Sequence, residues 1–136
     1  MAPITSAVTV SWNQDLQFTG GVPGGPTVAV DGHGKVSPSP VSQLLIAAAT
    51  CSGSDVVDIL KKMRVDLREL QIDVSGTRRE EYPRRFLSLH FDYRIVGTGV
   101  DETKARRAID LSHDKYCSVI HSLAPDIRIT YDVALG

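Results

Sequence analysis

Read from the N-terminus, the chain starts with alternation rather than helical spacing. Ala7-Val8-Thr9-Val10-Ser11-Trp12 alternates and is rich in β-formers, Asn13-Gln14-Asp15 carries turn chemistry, and Leu16-Gln17-Phe18-Thr19 alternates again. A Gly/Pro loop, Gly20 to Pro26, separates this pair from a third short strand, Thr27-Val28-Ala29-Val30. These segments predict a meander of about three strands. Ser37-Pro38-Ser39-Pro40 then punctuates the chain, with Ser39 suited to cap a helix and Pro40 to open it.

From Val41 the apolar positions follow helical spacing up to Met63. They wrap most of the circumference as far as Cys51, after which a polar face returns with Asp58, Lys61, Lys62 and Arg64. Lys61 and Lys62 in the last turns suit the helix dipole, and Ser52-Gly53-Ser54 is a candidate kink. Glu69 to Thr77 alternates, with Leu70, Ile72 and Val74 on one face. Arg78 to Arg85 reads as a polar hairpin tip. Phe86 to Val96 alternates again, with Leu87, Leu89, Phe91, Tyr93 and Ile95 expected on the buried face. A second helix starts at Asp101, with Ala105, Ala108, Ile109 and Leu111 at helical spacing. Ser112 to Leu123 continues as helix, and Ile127, Ile129, Tyr131 and Val133 form a closing strand. The order of strands, long helix, hairpin, helices and strand predicts an α+β fold. At 136 residues, with no internal repeat or linker, a single domain over 1–136 is expected.

Composition narrows the function classes. Fifteen basic residues stand against sixteen acidic ones, a net charge of −1, so no strong pull toward nucleic acid or anionic lipid follows. No stretch approaches the ~20 apolar residues of a membrane helix, and the N-terminus shows no basic start leading into an apolar run. The expected location is the cytoplasm, with neither nucleic acid nor membrane as partner. The central helix is too apolar for a small monomer to cover, and an intertwined homodimer is the economical expectation.

The candidate chemistry lies in two cysteines, Cys51 and Cys117, each expected within a helix. In a reducing compartment two thiols are more often reactive, metal-binding or buried than a permanent staple. A nucleophilic Cys51 needs a cation in an apolar setting, because burial alone raises a thiol's pKa. No Arg precedes Arg64, which leaves Lys35, the Arg78–Arg85 tip, His113 and His121 as candidates. His113, Cys117 and His121, four residues apart, would line one helix face. With Cys51 opposite, they would form a Cys2His2 set usable by tetrahedral zinc. Such spacing is common on helices, so no metal ligand and no cofactor are assigned. No Ser-His-Asp elbow, P-loop or dinucleotide fingerprint occurs.

These segments, in this order, resemble the osmotically inducible protein C and organic hydroperoxide resistance (OsmC/Ohr) superfamily, in its divergent OsmC-like branch. The resemblance is carried by Ser37-Pro38-Ser39-Pro40-Val41-Ser42-Gln43-Leu44-Leu45 through Ala49-Thr50-Cys51, by Asp55 to Met63, by Glu80-Glu81-Tyr82-Pro83-Arg84-Arg85-Phe86 and by Lys115-Tyr116-Cys117-Ser118-Val119. It implies a homodimer and a thiol peroxidase acting on organic hydroperoxides. Cys51 would be the peroxidatic thiolate, Cys117 the resolving thiol that closes a disulfide, and an external dithiol the reductant. Two departures stand out. Val41 occupies the position of a family Glu ten residues before the reactive Cys, and the family Arg of the N-terminal strands is absent. They motivate a second expectation from another class, a noncatalytic protein holding an apolar small ligand in the dimer-interface pocket.

Overall fold

The structure, a computed structural model, describes residues 2–136. The described residues form two compact units, one ending at Leu44 and the other running Leu45–Gly136.

In the first unit, β1 (Thr9–Gln14), β2 (Gln17–Gly21) and β3 (Thr27–Asp31) form the expected antiparallel meander in the order β1-β2-β3. Asp15 takes the left-handed conformation that the tight β1–β2 turn needs (φ 50°). Asp31 closes the sheet. Its buried carboxylate accepts the backbone N–H groups of His33, Lys35 and Val36, which folds the following loop around it. Those bonds hold its pKa below the ordinary carboxylate range, the Val36 bond contributing most. The sheet keeps apolar side chains in the open, with Val10 62% and Trp12 66% exposed.

The helix α1 (Pro40–Lys62) begins where Ser39 Oγ accepts the Ser42 N–H, with Pro40 as its first residue. It runs unbroken for 23 residues through Ser52-Gly53-Ser54, so the kink suggested by those small residues does not interrupt it. The hydroxyls of Thr50 and Ser54 bond back to carbonyls of the preceding turn, which lets polar side chains ride on the helix. Contrary to the sequence reading, α1 is long and apolar enough, by length and composition, to cross a membrane (mean hydropathy 1.3). One face of it packs into the second unit. Ala48, Val56 and Leu60 are fully buried, and Ser52 and Asp55 are hydrogen-bonded to other elements of the second unit.

The second unit is built on the sheet β4 (Asp66–Arg78), β5 (Phe86–Thr98) and β6 (Arg128–Leu135). β4 and β5 are the expected hairpin. β6 lies parallel to β5, and the connection that parallel pairing demands is supplied by α2 (Glu102–Leu111), a π-helical turn (Ser112–Tyr116) and the short α3 (Ser118–His121). Alternation along β5 buries Leu89, Phe91, Tyr93 and Ile95, and Ala105, Ala108 and Ile109 of α2 are buried as well. Leu87 departs from the expected pattern and is 44% exposed, while Phe86 is buried. The cause is a bulge opposite Thr77/Arg78 that shifts the pleat by one residue at the start of β5. Gly53 allows α1 to approach β4 closely, since a Cβ there would lie 3.0 Å from Ile72 Cδ1.

Candidate functional site

The cysteines are separated by 66 positions in the chain, yet in the second unit Cys51 lies close enough to Cys117 to act on its thiol. Cys51 is carried on α1 and is half-buried; Cys117 is fully buried, and both are free thiols. Cys117 does not lie inside a helix, as its sequence context suggests. It occupies the break between the π-helical turn and α3, with extended backbone (φ −72°, ψ 100°). Its N–H donates to the Ser112 carbonyl (2.8 Å), closing the π turn, and its sulfur accepts the Ile120 N–H (3.4 Å).

This setting separates the two thiols chemically. Burial pushes the Cys117 thiol up to about 11, and nearby Cys51 adds to the rise against the Ile120 N–H, which lowers it. Cys117 is therefore a protonated thiol at neutral pH, and Cys51 is the less buried of the two.

Beside the pair runs a polar chain absent from the sequence reading. Asp55 Oδ2 lies 2.9 Å from Ser112 Oγ, Ser112 Oγ 2.9 Å from Ser52 Oγ, Ser52 Oγ 2.6 Å from Tyr93 OH, and Tyr93 OH 2.7 Å from His113 Nε2. Each hydroxyl carries one proton, and a carboxylate only accepts. Ser112 thus donates to Asp55 and receives from Ser52, Ser52 receives from Tyr93, and Tyr93 receives from His113 Nε2–H. Burial pushes the Tyr93 phenol far above its ordinary value, with charge on Cys117 adding to the effect, so it stays a donor. Burial also lowers the His113 pKa, against the opposing charges of Asp114 and Asp110, so the ring is neutral at neutral pH. Ser52 and Ser112 are fully buried and satisfied.

The other expected participants have different work. A neutral His113 supplies no cation to Cys51. His113, Cys117 and His121 do not form a ligand face, because the π turn ends the regular helix between them. His113 Nε2 is engaged with Tyr93, and His121 Nε2 donates to the His113 carbonyl (2.9 Å). The tip arginines have partners of their own: Arg78 donates to the Arg84 carbonyl and Arg84 to the Glu80 carbonyl within the hairpin, and Arg85 donates to Asp126 ahead of β6 (2.6 Å). Elsewhere, His90 faces outward on the sheet, bonded to Thr130 and within 3.2 Å of both Asp92 and Asp132.

A groove of about 570 Å³ runs along α1, where Ala49, Gly53 and Val57 face Leu70 and Ile72 of β4. Its walls are mainly apolar, and its hydroxyls, Thr50 and Ser54, are turned to the helix backbone.

Comparison with known proteins bears on this arrangement. Protein YhfA of Escherichia coli strain K12 is 37% identical over 123 residues, which cover 90% of this chain and 92% of YhfA. A solved structure from Aquifex aeolicus VF5 superposes with a TM-score of 0.85 at 28% identity, covering 98% of this chain and 99% of that one. The organic hydroperoxide resistance protein OhrB of Bacillus subtilis shares the fold alone, with a TM-score of 0.62 at 16% identity over 96% of this chain and 98% of its own. Residues 32–132, a span that includes α1 and both cysteines, match the family model described as OsmC-like protein. On that match and the near full-length similarity to YhfA, this chain belongs to the OsmC-like protein family.

Proposed function

We propose that this protein is a thiol-dependent peroxidase that reduces organic hydroperoxides at Cys51. The observation that carries the reading is the unequal pair, a half-buried Cys51 beside a buried, protonated Cys117 whose thiol it influences. Membership of the OsmC-like family, together with a fold shared with an organic hydroperoxide resistance protein, supports a redox role.

The steps follow from the two environments. The Cys51 thiolate attacks the peroxide. An S–O bond forms, the O–O bond breaks, and the departing alkoxide takes a proton and leaves as the alcohol. The resulting sulfenic acid meets the Cys117 thiol; an S–S bond forms, and the sulfenic oxygen leaves as water with the Cys117 proton. An external dithiol then returns both thiols by exchange, becoming a disulfide itself. A sulfur that must wait neutral until a sulfenic acid appears beside it suits Cys117, and the less buried member of the pair suits the first attack.

Self-association is part of the proposal. Trp12, Val10 and Val28 on the N-terminal sheet, and Leu44 and Ile46 on α1, leave apolar surface that a second copy would cover. Sedimentation of a monomer would overturn it. A cytoplasmic location fits two thiols held reduced.

The deciding experiment is mass spectrometry after stoichiometric cumene hydroperoxide. Loss of two hydrogens, mapped to a Cys51–Cys117 link and abolished in Cys51→Ser, is the expected result. Two unreacted thiols would refute the reading. The apolar groove beside α1 favours one alternative, a binding protein for an apolar small molecule. That alternative requires peroxide resistance to be indifferent to Cys51→Ser and a lipid-like molecule to copurify.

A further inference from the structure

We infer that Ser112, held by Asp55 and Ser52, is a positioning residue that fixes the Cys117 turn against the Cys51 turn and thereby sets how readily the two sulfurs join. The inference rests on the reading that this pair is the redox couple. It assigns roles to residues that bear no sulfur.

Ser112 has two independent grips. Through its side chain it reaches α1, touching Ser52, the residue after Cys51, and Asp55, one turn farther on. Through its backbone carbonyl it accepts the Cys117 N–H and closes the π turn. A single buried residue therefore ties together the segments that carry both thiols. Ser52 and Ser112 are both fully buried, so their hydroxyls cannot exchange these bonds for water without opening the site. The bond to Asp55 is charge-assisted and is the stronger arm of the clasp. π turns are uncommon and tend to occur at functional positions. Here the turn ends the helix just before Cys117 and leaves its backbone extended, a geometry that a free helix end would not keep.

The test uses the full-length protein and the variants Ser112→Ala, Asp55→Ala and Asp55→Asn, the last retaining a carbonyl oxygen to accept from Ser112. Each is equilibrated with reduced and oxidised dithiothreitol, and the Cys51–Cys117 disulfide is quantified. In that exchange the protein loses two thiol hydrogens and two electrons to the reagent's disulfide, so no peroxide is needed. Ser112→Ala and Asp55→Ala are expected to lower the equilibrium constant for disulfide formation about tenfold. Asp55→Asn is expected to recover most of that loss. After a peroxide pulse, Ser112→Ala and Asp55→Ala should accumulate a dimedone-trappable sulfenic acid at Cys51. Equal constants in all four proteins would overturn the clasp, as would an Asp55→Asn constant no better than that of Asp55→Ala. Should Ser112→Ala fail to fold, the two variants at the half-buried Asp55 decide. A wild-type pair that equilibrates with dithiothreitol yet ignores hydroperoxides would refute the peroxidase and leave the clasp standing.

Discussion

The elevated pKa of Cys117 makes protein stability depend on pH in a way that can be isolated. The thiol stands at about 11 in the folded protein against an ordinary 9.0, with burial as the first cause. The folded state favours the protonated form, so the folded value lies above the unfolded one. The contribution is complete below about pH 9 and is lost as pH rises through about 11. At ~1.36 kcal/mol per pKa unit, the gap amounts to about 3 kcal/mol, a large share of the stability of a small domain. Cys117→Ser supplies the reference, since serine nearly matches the shape and does not titrate in this range. Urea unfolding of both proteins in a phosphine reductant, at equal protein concentration from about pH 7 to pH 11, cancels the lysines and tyrosines common to both. The wild type is expected to lose about 2 kcal/mol relative to the variant across that window, most steeply between about pH 9 and 11. A constant difference would mean that Cys117 titrates as an open thiol and would remove the basis for treating it as the waiting partner.

Three further outcomes test the scaffold. Asp31 has a folded pKa below its ordinary 3.8 because three backbone N–H groups point at it. Its stabilisation is therefore present above that value and lost as pH falls through the depressed one, and in Asp31→Asn the acid limb of an unfolding titration should flatten. In Gly76→Ala the new methyl would lie 2.4 Å from the Phe86 ring and 2.9 Å from Leu89. Denaturant unfolding should show a loss of about 1–3 kcal/mol, the usual cost of overfilling a packed site. Leu60→Ala empties a fully buried position on α1 and should cost about 2–5 kcal/mol by the same measurement.

What could be read from the chain depended on whether a residue's environment was local. Alternation found every strand, and the Ser39-Pro40 signal found the start of α1, because caps and pleats depend on near neighbours. The bulge that exposes Leu87 arises from the pairing of β4 with β5, and nothing in the run Phe86 to Val96 announces it. The parallel seat of β6 is likewise a tertiary choice. The π turn before Cys117 has no side-chain period to betray it, so four-residue spacing at His113, Cys117 and His121 suggested a face that does not exist. Both cysteines were visible, but the residues that hold them were not. Ser52 looked like a helix-weakening small residue, and Ser112 lies 60 positions away, with no pattern to link the two.

The fold makes two chemically identical residues unequal, and that inequality gives the proposed reaction a direction. A pair of equally exposed thiols could begin from either sulfur, and each would risk further oxidation while its partner turned into reach. Here Cys117 sits in the core, kept neutral by burial and capped by the Ile120 N–H. Cys51 rides a half-buried turn of α1 and is the less buried of the two. The polar chain from Asp55 to His113 contributes no positive charge to this site, since its histidine is neutral and its tyrosine protonated. Its contribution is geometric: it sets one helix turn against another across the core. A cation assisting Cys51 in the proposed reaction would therefore have to come from outside this chain of hydroxyls, and the clasp proposed for Ser112 would serve the second step, in which the two sulfurs must already be neighbours.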